Sequence, residues 1–515
     1  MMRLSNRLAI AWLSFAPLFA FALAESARAE PTSQARSTDT VQDQVDQQMS
    51  MSRRFRDVFR NVARTHGMRD AEVQKIIFPL SADVLTPSAA VLDAKTPMQA
   101  ARAMVENSRN TSAIGLYQYG INTPFGADEN PAEIFAAKGP VTFIVIPPLL
   151  SELLPTPIFD DILNRPSSFR DKYQAQLGTI EDKVFNWLKM KEVNIDLGAI
   201  VRLGSIDDAS GNPLVQLIVF QSPTGSLETI GPIALSRAAF ARRVEKLLNL
   251  LPDAAVQNPF LLGYSRGGAI ALDMIANAAK APAGTSAIMD KIRGIVTLGG
   301  VVYGSELAEV SPSFRIGDLA DMAKRASESP LLSMHQAYDV VRQMILQSLD
   351  PLGLYKRLKL LEDYVNIASE ELKTESRLRW WQKNTLPANF PVYSINGAMP
   401  VRSMIPWYLP DSPFFNLDDP LMLLLGPSAA RLYQLTQVFL NDGQVIEAKG
   451  RPWPSVLRTF NPKQENLQIH SLGVVTTHHF GLGGSGSVPG FDFQINKFPR
   501  SLMVEALGAY VLETL

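Results

Sequence analysis

Phe260-Leu261-Leu262-Gly263-Tyr264-Ser265-Arg266-Gly267-Gly268, followed by the alanine-rich run 269–279, decides the fold. Its first three residues are a short apolar run of the kind that forms a buried strand. Its last eleven form helix readily. Between them stands Gly-x-Ser-x-Gly, in the setting that gives the pattern its meaning. A sharp strand-to-helix turn lifts the serine hydroxyl above the carboxyl end of a sheet. Glycine is needed on either side because a Cβ there meets the neighbouring strand and helix. The helix start aims its unpaired N–H groups toward the serine.

The elements around this turn alternate. Apolar, β-branched runs at 141–146, 214–220 and 295–298 read as buried strands. Phe240, Val244, Leu247, Leu248 and Leu251 mark a helix that Pro252 ends. Strands alternating with helices predict an α/β domain, a mostly parallel sheet covered on both faces. The alternation stops after Ser305, where the spacing of Leu358, Leu361, Val365 and Ala368 is helical. It resumes at Pro391–Ile395 and continues to a strand at 467–477 and a final amphipathic helix at 500–515. The expected organisation is therefore a core in two parts, 139–305 and 391–515, with a helical lid inserted at 306–390. Trp380 and Trp381 lie near the lid's end and suit either an acyl chain or a packed subdomain.

Arg3 and Arg7, the uncharged run 8–24 and Ala27-Arg28-Ala29 have the form of a secretory signal peptide over 1–29, cleaved before Glu30. The expected location is exported, periplasmic or secreted. Residues 30–50 are polar and read as a tether that opens an N-terminal helical region reaching 138. Met51, Phe55, Val58, Phe59 and Val62 share one helix face, with Arg53, Arg54, Arg56, Arg60 and Arg64 among them. That helix either packs on the body with a solvated basic face or makes transient contact with a membrane surface.

The 515 residues are 46% hydrophobic and 19% charged, which excludes a disordered chain. With 49 Lys and Arg against 50 Asp and Glu, the net charge is −1, so no nucleic-acid partner is expected. No Cys is present, which removes thiol nucleophiles, disulfides and thiolate metal sites together. No metal or organic cofactor is implied. Five histidines remain: His66, His335, His470, His478 and His479.

A serine hydroxyl needs a base, and the base needs a carboxylate to orient it. On a serine turn of this kind the acid and the histidine follow in chain order. His66 precedes the serine, His335 lies in the insertion and His470 lies within a strand. His478 and His479 follow the last strand, where a base can hang. His479 is the first choice and His478 the alternative. The position just after 391–395 holds Asn396-Gly397-Ala398, without a carboxylate. Asp442, in Asn441-Asp442-Gly443-Gln444-Val445, is the preferred acid over Asp411, Asp418 and Asp419.

On these residues the chain resembles the α/β-hydrolase superfamily, and within it secreted bacterial lipases and esterases. The elbow 263–267, the Asn-Asp-Gly-x-Val segment around Asp442 and the late histidine carry the resemblance. Leu298-Gly299-Gly300 with Tyr303-Gly304-Ser305 adds to it. It covers roughly 139–515. It implies a catalytic triad of Ser265, Asp442 and His479, and an oxyanion hole of two backbone N–H groups. Arg266 supplies one. The other must follow Ile146-Pro147-Pro148, and because proline has no N–H it falls to Leu149 or a residue just beyond. The implied activity is hydrolysis of acyl esters with a lipid-like small-molecule substrate. The same triad serves an acyltransferase or a thioesterase, and a hydrolase fold without activity serves as an envelope binding protein.

Overall fold

The structure, a computed structural model, describes residues 38–515 except 112, 150, 152–157, 178, 181–198, 222–227, 283, 311–362, 365, 400–431, 435, 439, 465 and 485–497. In chain order the strands are β1 (Ile77–Phe78), β2 (Val141–Ile146), β3 (Thr179–Ile180), β4 (Ala199–Asp207) and β5 (Pro213–Gln221), then β6 (Pro259–Tyr264), β7 (Gly294–Leu298), β8 (Pro391–Ala398) and β9 (Gln468–Thr476). They form one sheet in the order β1-β9-β8-β7-β6-β2-β5-β4-β3. The six strands from β5 to β9 in that order run parallel. Antiparallel strands close both edges: β1 on β9 and the β3–β4 pair on β5.

The helices that matter below are α1 (Thr38–Thr65), α2 (Pro97–Arg109), α3 (Pro131–Lys138), α4 (Ile233–Leu250), α5 (Arg266–Ala278), α6 (Thr374–Lys383), α7 (Pro454–Phe460) and α8 (Arg500–Glu513). They lie on both faces, as the strand alternation requires. In β2, Ile144 and Ile146 enter one hydrophobic cluster with α4, α5 and α7, while Val141, Phe143 and Val145 enter another with α1 and α8. In β6, Leu261 points one way and Phe260, Leu262 and Tyr264 the other. Because both faces are covered, all six residues of β2 and of β6 are buried, which explains their unbroken apolar runs.

The sequence expectations need correction at three places. Residues 38–50 are not a tether but the first half of α1. Their polarity misleads because the buried polar groups bond to strand backbone. Gln48 donates through Nε2 to Ile469 O at 2.6 Å and accepts from Ser471 N at 2.8 Å. Farther along α1, Ser52 donates to Leu472 O on β9 at 3.4 Å and accepts from Leu80 N at 2.7 Å. The basic residues of α1 do not form a uniformly solvated face either. Arg56 and Arg60 are buried, stack on Phe125 and donate to backbone carbonyls at 120–127.

The third correction concerns the insertion. Most of it, 311–362 with His335, lies outside the described residues. The end of the segment belongs to the core, because Leu378 and Trp381 of α6 are completely buried in the α4–α5 cluster. Trp381 donates through Nε1 to Val302 O at 3.2 Å, and Trp380 to Asp273 Oδ1 at 2.5 Å. The paired tryptophans are packing residues. The start of the chain, 1–37, where the signal peptide was expected, also lies outside the described residues. No described helix is long and apolar enough to cross a membrane.

His470 on β9 is buried against Tyr393 and Tyr510, its Nδ1 3.3 Å from Tyr510 Oη. Burial lowers its pKa from 6.5 to about 4. The folded protein keeps the ring neutral where the unfolded chain binds a proton. Its stability contribution is therefore whole above pH 6.5 and declines as pH falls toward 4. Denaturant unfolding at pH 7 and pH 4.5 should show a loss of about 2–3 kcal/mol from this group. His470→Phe should remove that part of the slope; an unchanged slope would assign it elsewhere.

Candidate active site

β6 ends at Tyr264, α5 begins at Arg266, and Ser265 alone makes the turn, with φ 55° and ψ −125°. A non-glycine residue with that backbone is strained, and strain of this kind persists only where its surroundings enforce it. Here they do. Ser265 N donates to Leu298 O at 3.0 Å, and Ser265 O accepts from Gly268 N and Val301 N at 3.0 and 3.1 Å. A Cβ on Gly263 would stand 2.5 Å from Gly268 Cα. One on Gly267 would stand against the carbonyl oxygen of Ile146 and 2.7 Å from that of Pro147. The glycines thus let α5 press against its own strand and against the end of β2.

The chain brings two distant residues to the serine. Ser265 Oγ lies 2.7 Å from His479 Nε2. His479 Nδ1 lies 2.6 Å from Asp442 Oδ2. All three are buried, Ser265 to 6% exposure. A carboxylate accepts only, so Nδ1 carries the proton and Nε2 is free to accept from the serine. Asp442 is fixed in turn by its own turn: its Oδ1 accepts from Gln444 N and Val445 N at 2.9 and 2.8 Å. Its backbone carbonyl accepts from His479 N at 2.8 Å. The carboxylate-free end of β8 has a purpose. Gly397 leaves space that Asp442 fills, with Asp442 Cβ 3.1 Å from where a Cβ of residue 397 would be. The acid therefore reaches the place expected just after 391–395, at the end of β8, from a later loop.

The strand-turn serine, its six parallel strands and the Ser–His–Asp hydrogen-bond chain at their carboxyl edge now stand together. This is an α/β-hydrolase fold. Solved structures similar to the chain include a metagenomic carboxyl esterase, at 17% identity and TM-score 0.45 over 90% of this chain and 92% of that one. Others are the mature form of a Bacillus licheniformis lipase (14%, TM-score 0.27, 67% and 86%) and an esterase from Rhodococcus sp. (12%, TM-score 0.25, 73% and 92%). Neither a family model nor a curated protein matches the sequence.

The remaining candidate residues divide clearly. His66 pairs with Glu505 at 2.9 Å, and His470 is the buried strand residue already described. His478 turns its Nδ1 into its own loop, where Gly481 N donates to it at 3.0 Å. Asp411, Asp418 and Asp419 lie outside the described residues. Arg266 holds the first position of α5, where a backbone N–H meets no helical carbonyl. Beyond β2, Ser151 N donates to Thr229 Oγ1 at 3.2 Å, and residue 150 is not described. Leu149, the other expected donor, comes just after β2 and packs against the α4–α5 cluster. Among the described residues no group of three metal-ligating side chains occurs.

Two features escaped the sequence reading. The side chain of Arg266 is wholly buried and holds the loop ahead of α4, donating to Thr229 O at 2.5 Å and to Gly231 O. Glu371 lies 4.0 Å from it; burial raises that carboxyl above its usual range, and Ile233 N and Arg266 oppose the rise. Tyr264 stacks on His479 and donates from Oη to His479 O at 2.7 Å. Burial, and then the charge of Asp442, push the phenol far above its ordinary pKa, so it remains a donor. A tyrosine inside Gly-x-Ser-x-Gly was a visible signal, but the pattern leaves that position open.

Proposed function

We propose that the protein is an exported serine hydrolase that cleaves carboxylic esters, with a lipid-like small molecule as substrate. The observation that carries this reading is the continuous hydrogen-bond chain Ser265–His479–Asp442 at a strained turn. At 2.7 Å the serine proton needs no rearrangement to reach Nε2. Oγ attacks the ester carbonyl carbon while its proton passes to His479. Asp442 holds the resulting imidazolium. The oxyanion meets the N–H groups of Arg266 and Leu149. His479 then gives the proton to the departing alcohol, and water repeats the sequence on the acyl-serine. Export rests on the form of residues 1–29.

A fluorophosphonate probe tests the reading. It should label the full chain stoichiometrically, and peptide mapping should place the adduct on Ser265. Ser265→Ala should take no label. A folded wild-type protein that resists the probe would be an inactive hydrolase fold. A panel of p-nitrophenyl esters then grades the acyl chain, and rates rising with chain length support the lipid-like substrate.

A further inference from the structure

The backbone and ring of His479 together have four polar attachment points, and all four are held. Two belong to the ring, 2.6 Å from Asp442 Oδ2 and 2.7 Å from Ser265 Oγ. The backbone N–H donates to Asp442 O at 2.8 Å. The backbone carbonyl accepts from Tyr264 Oη at 2.7 Å. That fourth bond comes from outside the Ser–His–Asp set. Tyr264 is 1% exposed, and its ring lies 5.5 Å from the imidazole centroid at 29°. Gly483 makes room for it, since a Cβ there would come within 2.6 Å of Tyr264 Cε1.

We infer that Tyr264 is a positioning residue for His479, gripping the base by hydroxyl and ring together. The nucleophile and one support of its base are then chain neighbours, Ser265 at the turn and Tyr264 at the end of β6. The inference rests on the serine-hydrolase reading of the site. The imidazolium formed during attack faces the tyrosine ring at a separation where an aromatic face attracts a cation. That attraction exists only while the ring is charged, so its loss falls on kcat and not on KM. Two charges act on Tyr264 itself, Asp442 and, from α8, Arg500. Arg500 donates to Gly481 O at 3.1 Å and pairs with Asp161.

The test compares full-length wild type with Tyr264→Phe, which keeps the ring, and Tyr264→Leu, which keeps neither grip. With p-nitrophenyl butyrate, Tyr264→Phe should lower kcat about tenfold at unchanged KM, the effect of one modest hydrogen bond. Tyr264→Leu should lose about a hundredfold or more. The low-field Nδ1–H proton resonance of His479, assigned by its absence in His479→Gln, should broaden in the first variant and vanish in the second. Folded variants with wild-type kcat and an unchanged resonance would overturn the inference. If Tyr264→Leu does not fold, Tyr264→Phe decides alone. If wild type takes neither ester nor fluorophosphonate, the hydrolase reading fails, and the resonance still decides whether Tyr264 holds the imidazole.

Discussion

Asp442→Asn is expected to cut ester turnover by about four orders of magnitude while the protein stays folded. The direction follows from how the carboxylate is held. Oδ1 accepts from two backbone N–H groups, of Gln444 and Val445. Oδ2 faces His479 Nδ1. An asparagine has one oxygen, and the two backbone donors claim it. Its NH2 group must then point at Nδ1, which can only accept from it. The proton moves to Nε2, and the ring presents a donor to Ser265 where it needs an acceptor. Binding is untouched, so kcat should fall with little change in KM. Kinetics with p-nitrophenyl butyrate and a circular dichroism melt check both halves. A loss of less than about tenfold would mean that Asp442 does not orient the base.

Gly267→Ala should damage both stability and rate. The added methyl meets two backbone carbonyls, of Ile146 and Pro147, and no flexible side chain can swing away. Either α5 retreats from β2 or the segment after β2 is displaced. The first costs packing, about 1–3 kcal/mol for an overfilled contact. The second moves the Leu149 N–H, and if that group is the donor proposed above, its loss costs about a hundredfold or more in rate. A thermal melt and a kcat measurement together show how the strain divides. A variant that matches wild type in both would mean that the approach of helix to strand end has slack the geometry does not show.

The strand, turn and helix around Ser265 were legible because three independent signals coincide within twenty residues: an apolar run, a glycine-flanked serine and a helix former. His479 could be separated from His478 only by side-chain direction, and Asp442 only by the turn it sits in. What stayed hidden has one physical cause. Polar side chains that satisfy buried backbone look, in sequence, like solvent-facing ones. Gln48 sits in the polar stretch 30–50 that reads as a tether, and Arg56, Arg60 and Arg266 look like surface charges although each is buried on carbonyl oxygens. The edge strands were missed for a different reason. β1 has two residues, and β4 mixes Arg202 with buried Val201 and Leu203, as a strand at a sheet's margin does.

The first and last described segments of this chain are bound to each other. Gln48 bonds to Ile469, 421 residues away, β1 pairs with β9, and His66 and Arg54 meet Glu505 and Glu513 on α8. A ribosome that has released four hundred residues has therefore made none of these closures, and it has not yet made His479 either. Contacts so remote in sequence form late. The growing chain is left with an open sheet edge and an unarmed serine until almost its last helix emerges. Until β9 and the loop after it are made, the chain has neither that edge pairing nor the imidazole beside Ser265, so the sheet margin and the Ser–His contact are completed together and late.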